Sequence, residues 1–224
     1  MWQQSFATNP MCSIAASDGI RLTATSLTSI GPRPKYPIRR QWVLETVRSR
    51  YPQAPLYSVG VSLGGNQISL FCGKCADAAA SLLTAAVSVG APVDLVAGSN
   101  LLKYGFNRVY SKMFLDSLIP KVLQKCEQFP EARKIIDVKA LKECKNFYDF
   151  DSIYTAPVHG FASAMQYWTE ASAKPWLKFV KVPLLLLNAC NDPFLPEWAL
   201  PTLADISESG WLAQPAEGGH VGFP

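Results

Sequence analysis

Leu56-Tyr-Ser-Val-Gly-Val-Ser-Leu-Gly-Gly-Asn66 is the stretch on which the fold turns. It opens with a short, β-rich apolar run, Leu56 to Val61, and passes through Gly60-Val-Ser62-Leu-Gly64. It then continues into Leu63 to Cys72, which reads as a helix with Ile68, Leu70 and Phe71 as its buried candidates. A G-x-S-x-G run between a strand and a helix is the sharp turn that lifts a serine hydroxyl to the end of a sheet. Gly60 and Gly64 suit that turn, because side chains would collide where strand and helix pass closely. The bland alternative is an ordinary glycine turn carrying a surface serine. The position of the run between strand and helix argues against it.

Outward from this turn the chain alternates. Ile38 to Tyr51 reads as a helix stopped by Pro52, and Leu82 to Val89 as a second strand, closed by Gly90-Ala-Pro-Val-Asp94. Val182 to Asn188 is a third strand, almost uninterrupted in apolar residues, as expected when both faces are covered. Glu197 to Ile206 reads as a short helix and Trp211 to Gln214 as a weak last strand. Such alternation indicates an α/β fold with a mostly parallel sheet flanked by helices. Residues 95 to about 178 hold most of the aromatics, with helical stretches near 108–129 and 138–147. They are too long for one crossover and read as a helical cap inserted into a core spanning 38–224. Residues 1–37, rich in Ser, Thr and Pro, show no sustained period and form an atypical N-terminal segment.

A serine hydroxyl needs a base to take its proton. The chain has two histidines, His159 and His220. His220 lies in a glycine-rich loop after the last strand and is the expected base; His159 lies in the cap, in Ala156-Pro-Val-His-Gly160. The base needs a carboxylate to fix its tautomer. Asp192 follows the strand 182–188 in a loop stiffened by Pro193 and Pro196, while Asp94, after the strand 82–89, is its rival. Asp149 and Asp151 fall in the cap and read as structural. The order Ser62, Asp192, His220 is that of the α/β-hydrolase fold. The backbone N–H of Leu63, directly after the serine, is the expected oxyanion donor.

Composition narrows the alternatives. Of 224 residues 49% are hydrophobic, and a net charge of +4 leaves no basic face for nucleic acid. Cys72-Gly-Lys-Cys75 has no second pair and too few histidines around it for a zinc site, so no metal or other cofactor is expected. That pair falls at the end of a helix, where two free thiols are the better reading. No apolar run approaches membrane-spanning length. The N-terminus has no basic start leading into an apolar stretch, so reduced cysteines point to the cytoplasm.

Several segments together resemble the YheT-like branch of the α/β hydrolases. Besides residues 55–66 they are Phe106-Asn-Arg108, Tyr154-Thr-Ala-Pro-Val-His-Gly-Phe161, Ala173-Lys-Pro-Trp-Leu177, Leu187-Asn-Ala-Cys-Asn-Asp-Pro-Phe-Leu-Pro196 and Gly218-Gly-His-Val-Gly-Phe223. The resemblance runs from about residue 38 to the end. It implies a capped carboxylic-ester hydrolase and maps the family's triad onto Ser62, Asp192 and His220. It also puts His159 in a cap motif, which with Phe161 would shape the substrate pocket. The chain departs from the family at both ends. No His-Gly loop, the usual second oxyanion donor, precedes Ser62, and the chain stops soon after His220, where the family continues into a closing helix. An N-terminal part truncated in this way would leave the strand 56–61 with an unpaired edge inviting a homo-oligomer.

The expectation is therefore a serine carboxylesterase acting on small-molecule esters of short- to medium-chain acyl groups. Two alternatives stand beside it. One is a catalytically impaired hydrolase-fold fragment or binding module lacking a complete oxyanion hole. The other is acyl transfer to an alcohol by the same residues.

Overall fold

The computed structural model describes residues 12–16, 21–24 and 38–223. Among these, six strands form one sheet in the order β2-β1-β3-β4-β5-β6. Strand β3 is Leu56–Val61, β4 Ala85–Val89, β5 Leu184–Leu187 and β6 Gly210–Ala213, and these four run parallel. Parallel neighbours need crossovers. Helices α2 (Leu63–Lys74) and α3 (Ala76–Leu82) supply the first, and the long insertion between β4 and β5 the second. Helix α1, Ile38–Arg50, precedes β3 and ends with Arg48 and Arg50 in its last turn, where cations complement the helix dipole.

Two further strands lie where the sequence offered no periodicity. β1 (Cys12–Ala16) pairs antiparallel with β3, Cys12 opposite Gly60 and Ala16 opposite Leu56, and β2 (Arg21–Ala24) pairs antiparallel with β1. The unpaired β3 edge expected from the sequence is therefore filled. Strands this short, built from Ser, Ala and Thr, are too weakly patterned to stand out. The rest of the N-terminal segment assigned to 1–37 lies outside the described residues.

The core sits between the sheet and α2. Along β3, Leu56, Ser58 and Gly60 are buried and Tyr57, Val59 and Val61 exposed, the alternation of a pleated strand. Helix α2 is buried all along its length, with Leu70 and Phe71 fully enclosed and Ile68 at 2% exposure. Each such side chain contributes about 1.5–3 kcal/mol by leaving water. The opposite face of the sheet is apolar but partly open. Val59, Val87, Leu185 and Trp211 form a row across four strands, with Trp211 55% exposed. The sequence expected β5 covered on both faces, whereas Leu185 and Leu187 are only half-buried.

Chain contacts divide the molecule into two compact units. The first holds the sheet, α1–α3 and residues 172–223. The second holds 94–171, in which α4 is Leu95–Leu101, α5 Asn107–Gln128, α6 Val138–Lys142, α7 Phe147–Phe150, α8 Ala156–His159 and α9 Ala164–Ala171. The inserted unit ends sooner than the 178 expected. Ala173 N–H donates to Asn66 Oδ1 at 2.9 Å and Lys174 N–H to the Val93 carbonyl at 2.9 Å, which ties this stretch to the sheet unit. Other boundaries also move. The helix-forming run Ala76–Leu82 precedes β4 where a strand from 82 was expected. The helix expected at 138–147 ends at Lys142, and Asn146 then caps α7 by accepting from Asp149 N–H. The helix expected at 197–206 resolves into two 3₁₀ turns, Glu197–Ala199 and Leu203–Asp205, the second closed by a Thr202–Asp205 capping box.

Inside the insertion, Asp151 opens a π-helical turn, Asp151–Thr155, just after α7. Its buried carboxylate accepts from Thr155 Oγ1 at 2.5 Å and from Trp168 Nε1 on α9 at 2.7 Å. Burial dominates over these hydrogen bonds and lifts its pKa from 3.8 to about 6.

Candidate active site

The site begins with a strained serine. Ser62 follows β3 at φ 54° and ψ −127°, a conformation that glycine tolerates and a side chain resists. The surroundings impose it. Ser62 N–H donates to the Val89 carbonyl at 2.8 Å, extending the β3–β4 ladder, while its carbonyl accepts from Gly65 N–H and Asn66 N–H and starts α2. The chain must therefore turn from strand to helix within one residue. A Cβ on Gly60 would overlap the Gly64 carbonyl oxygen, and one on Gly65 would lie 2.7 Å from Ser88 Oγ and 2.9 Å from Ala91 Cβ. The turn is possible only with glycine at these places. Leu63 N–H, first in α2, meets no acceptor among the described residues.

Two loops at the carboxyl ends of β5 and β6 reach the same point. His220 Nε2 lies 2.8 Å from Ser62 Oγ. His220 Nδ1 lies 2.9 Å from Asp192 Oδ2 and 3.2 Å from Oδ1. The Asp192 side chain is 1% exposed and that of His220 16%. A buried carboxylate against Nδ1 holds the proton on that nitrogen and leaves the Nε2 lone pair for the serine hydroxyl. A hydroxyl bonded to such an imidazole can lose its proton as it attacks an electrophile.

Backbone details hold the loops. Phe194 N–H donates to Asp192 Oδ1 at 2.8 Å, and Asn191 Oδ1 accepts from Gly219 N–H at 2.8 Å. Gly219 at φ 56° turns the chain into His220. Gly90, also at φ 56°, passes so close beneath His220 that a Cβ there would overlap the His220 carbonyl oxygen. The Phe194 ring packs edge-to-face on the His220 imidazole, with centroids 4.4 Å apart and planes at 67°. Sequence reasoning named Ser62, Asp192 and His220 but missed Phe194, Asn191 and Gly90. The available signal was adjacency: Asn191 and Phe194 lie within two residues of Asp192, and Gly90 directly follows β4.

Asp94, His159 and Phe161 belong to the inserted unit. Asp94, the rival acid, caps α4 by accepting from Ala97 N–H at 2.9 Å. His159 ends α8 just before Gly160, whose left-handed φ of 76° terminates the helix. Phe161 is buried within the inserted unit against the Tyr167 ring at 5.5 Å. Cys75 caps the C-terminal end of α2, as expected for the C-x-x-C pair, and Cys72, Cys75, Cys126, Cys144 and Cys190 are thiols outside any disulfide. Burial raises the Cys75 thiol pKa, with Lys74 opposing. Among the described residues no group of three His, Cys, Asp or Glu could hold a metal, and no helix is long and apolar enough to cross a membrane.

No protein-family model matches the sequence. Individual proteins do. YheT of Escherichia coli (strain K12), whose name as an esterase is provisional, is 32% identical over 182 residues, 81% of this chain and 53% of YheT. The chain has the α/β-hydrolase fold and is similar in sequence to the YheT-like branch of that superfamily. Phospholipase ABHD3 of Homo sapiens is 30% identical over 81% of this chain and 44% of its own length. Monoacylglycerol lipase of Saccharomyces cerevisiae is 28% identical over 82% of this chain and 41% of its own. The chain thus spans about half the length of the curated relatives it matches. Among solved structures, an α/β-fold family hydrolase from Bacillus anthracis str. Sterne is similar at TM-score 0.49 and 17% identity, over 90% of this chain and 76% of that one.

Proposed function

We propose that this chain carries the triad of a serine carboxylesterase, with Ser62 as nucleophile, His220 as base and Asp192 as the group that orients the base. The Ser62–His220–Asp192 hydrogen-bond relay supports this reading more than any other observation. Relatives named a phospholipase and a monoacylglycerol lipase support an ester as the substrate.

The steps balance with these groups alone. Ser62 Oγ attacks the ester carbonyl while its proton passes to His220 Nε2. The carbonyl oxygen gathers negative charge, which the Leu63 N–H at the start of α2 stabilises. His220 then protonates the departing alkoxide, leaving an acyl-enzyme. Water repeats the sequence, giving its proton to Nε2, and the acid leaves as the Ser62 hydroxyl is restored. Short- to medium-chain acyl groups are the proposed range, and acyl transfer would differ only in replacing water by an alcohol. The cytoplasm is the proposed compartment, on the sequence reading of the cysteines as reduced thiols.

A p-nitrophenyl short-acyl ester assay comparing the parent with Ser62→Ala tests the assignment. The parent is expected to hydrolyse the ester and the variant to fall to background; equal rates would overturn it. Labelling by a fluorophosphonate separates esterase from binding module, because rapid labelling at Ser62 requires an activated hydroxyl.

A further inference from the structure

We infer that Phe194 is a positioning residue for the base, bracing the His220 imidazole in the one orientation that serves both of its hydrogen bonds. The inference rests on the reading of His220 as the base. A histidine ring turns about a broad, weakly defined final torsion, so its own rotamer does not fix which way its nitrogens point. Before reaction the ring is held at both ends, by Asp192 at Nδ1 and by Ser62 at Nε2. Once Ser62 is acylated, the Nε2 partner is gone, and Asp192 alone holds one end while Nε2 must receive a proton from water. A ring packed at a steep angle against the imidazole then limits the remaining swing.

Phe194 is built for that task. It lies two residues after Asp192, with Pro193 fixing the backbone between them. Its own N–H donates to Asp192 Oδ1 at 2.8 Å, so the same residue that steadies the acid carries the ring that touches the base. The 4.4 Å centroid separation is at the tight end of aromatic pairing. Phe194 is itself half-buried, and Leu195 beside it is 1% exposed, anchoring the loop in the core. On the far side of the pair, Asn191 ties Gly219 N–H to the same loop. The loop after β5 therefore grips the histidine loop by a side-chain amide on one flank and by a ring on the other.

Phe194→Leu removes the aromatic face while keeping similar volume and the backbone N–H. Phe194→Tyr keeps the face, and Phe194→Met is a second non-aromatic change should leucine fold poorly. The non-aromatic variants are expected to lose about two- to tenfold in kcat for p-nitrophenyl acetate. KM should stay within about twofold, and the tyrosine variant should recover the parent rate. The decisive readout needs no turnover. Long-range proton–nitrogen NMR of the two imidazoles should show His220 of the parent as a single tautomer protonated on Nδ1. In Phe194→Leu its two nitrogen signals should move toward each other, and those of His159 should not move. His220 signals identical in parent and both non-aromatic variants overturn the inference, as does a parent-like kcat in those variants. If the parent shows no Ser62-dependent turnover, the esterase reading fails, and the NMR comparison still decides whether Phe194 orients the ring.

Discussion

Asp151→Asn should stabilise this protein most at neutral pH and progressively less as the solution is acidified. Asp151 is almost fully enclosed beside Trp168, and its pKa is lifted from 3.8 to about 6 because burial outweighs the hydrogen bonds from Thr155 and Trp168. A carboxyl whose folded pKa exceeds its unfolded one keeps its proton longer when folded. Unfolding then releases a proton between pH 3.8 and 6, and stability falls as pH rises through that window. Above it the cost levels off at about 3 kcal/mol, the equivalent of the whole shift. Between pH 4.5 and 7.5 the parent should lose about 2 kcal/mol through this group. Asparagine carries no charge to desolvate, and it can satisfy both neighbours. Its Oδ1 can accept from Trp168 Nε1 while its Nδ2 donates to Thr155 Oγ1, whose hydroxyl turns to accept. The gap between variant and parent should therefore grow from about 1 kcal/mol at pH 4.5 to about 3 at pH 7.5. Urea unfolding followed by tryptophan fluorescence at the two pH values measures it. A variant less stable than the parent at pH 7.5, with the same dependence on pH, would refute the argument that the buried charge is a burden.

Three further outcomes follow from the site. Asp192→Asn keeps the loop but puts an amide against Nδ1, which disturbs the required tautomer; ester turnover should fall by about a thousand- to ten-thousandfold, with Tm changed little. Gly60→Ala forces a Cβ into the Gly64 carbonyl, so fluorophosphonate labelling of Ser62 should be lost and Tm should drop; normal labelling would show that the turn has room to spare. Gly90→Ala combines a positive φ with a clash against the His220 carbonyl, and it should lower kcat more than a remote glycine change of equal ΔTm, since it displaces His220.

The parts of this molecule that could be read from sequence are those whose signal is local. Strand β3 and the turn at Ser62 were legible because an apolar run, two glycines and a helix-forming stretch fall in immediate succession. Asp192 could be preferred to Asp94 from its proline-stiffened loop, and Asp94 instead serves as the N-cap of α4. What depends on distant chain meeting distant chain stayed hidden. The ring of Phe194 carries no mark that it will meet an imidazole from the loop after β6, and nothing in Cys12-Ser-Ile-Ala-Ala16 announces that it will pair with β3. The partial burial of Leu185 and the exposure of Trp211 were equally unreadable, since an apolar run specifies a preference for burial and not whether a layer arrives to provide it.

The backbone at Ser62 sets the protein's robustness against its usefulness. At φ 54° the serine is held where glycine would rest at ease, and a residue kept in such a region costs about 1–3 kcal/mol. Ser62→Gly should therefore melt at a higher temperature than the parent, and Ser62→Ala, which keeps the Cβ, should not. Random mutagenesis scored only for thermal tolerance would favour that glycine and discard the hydroxyl. Screens on this fold accordingly need to retain a selection for labelling or turnover at every round.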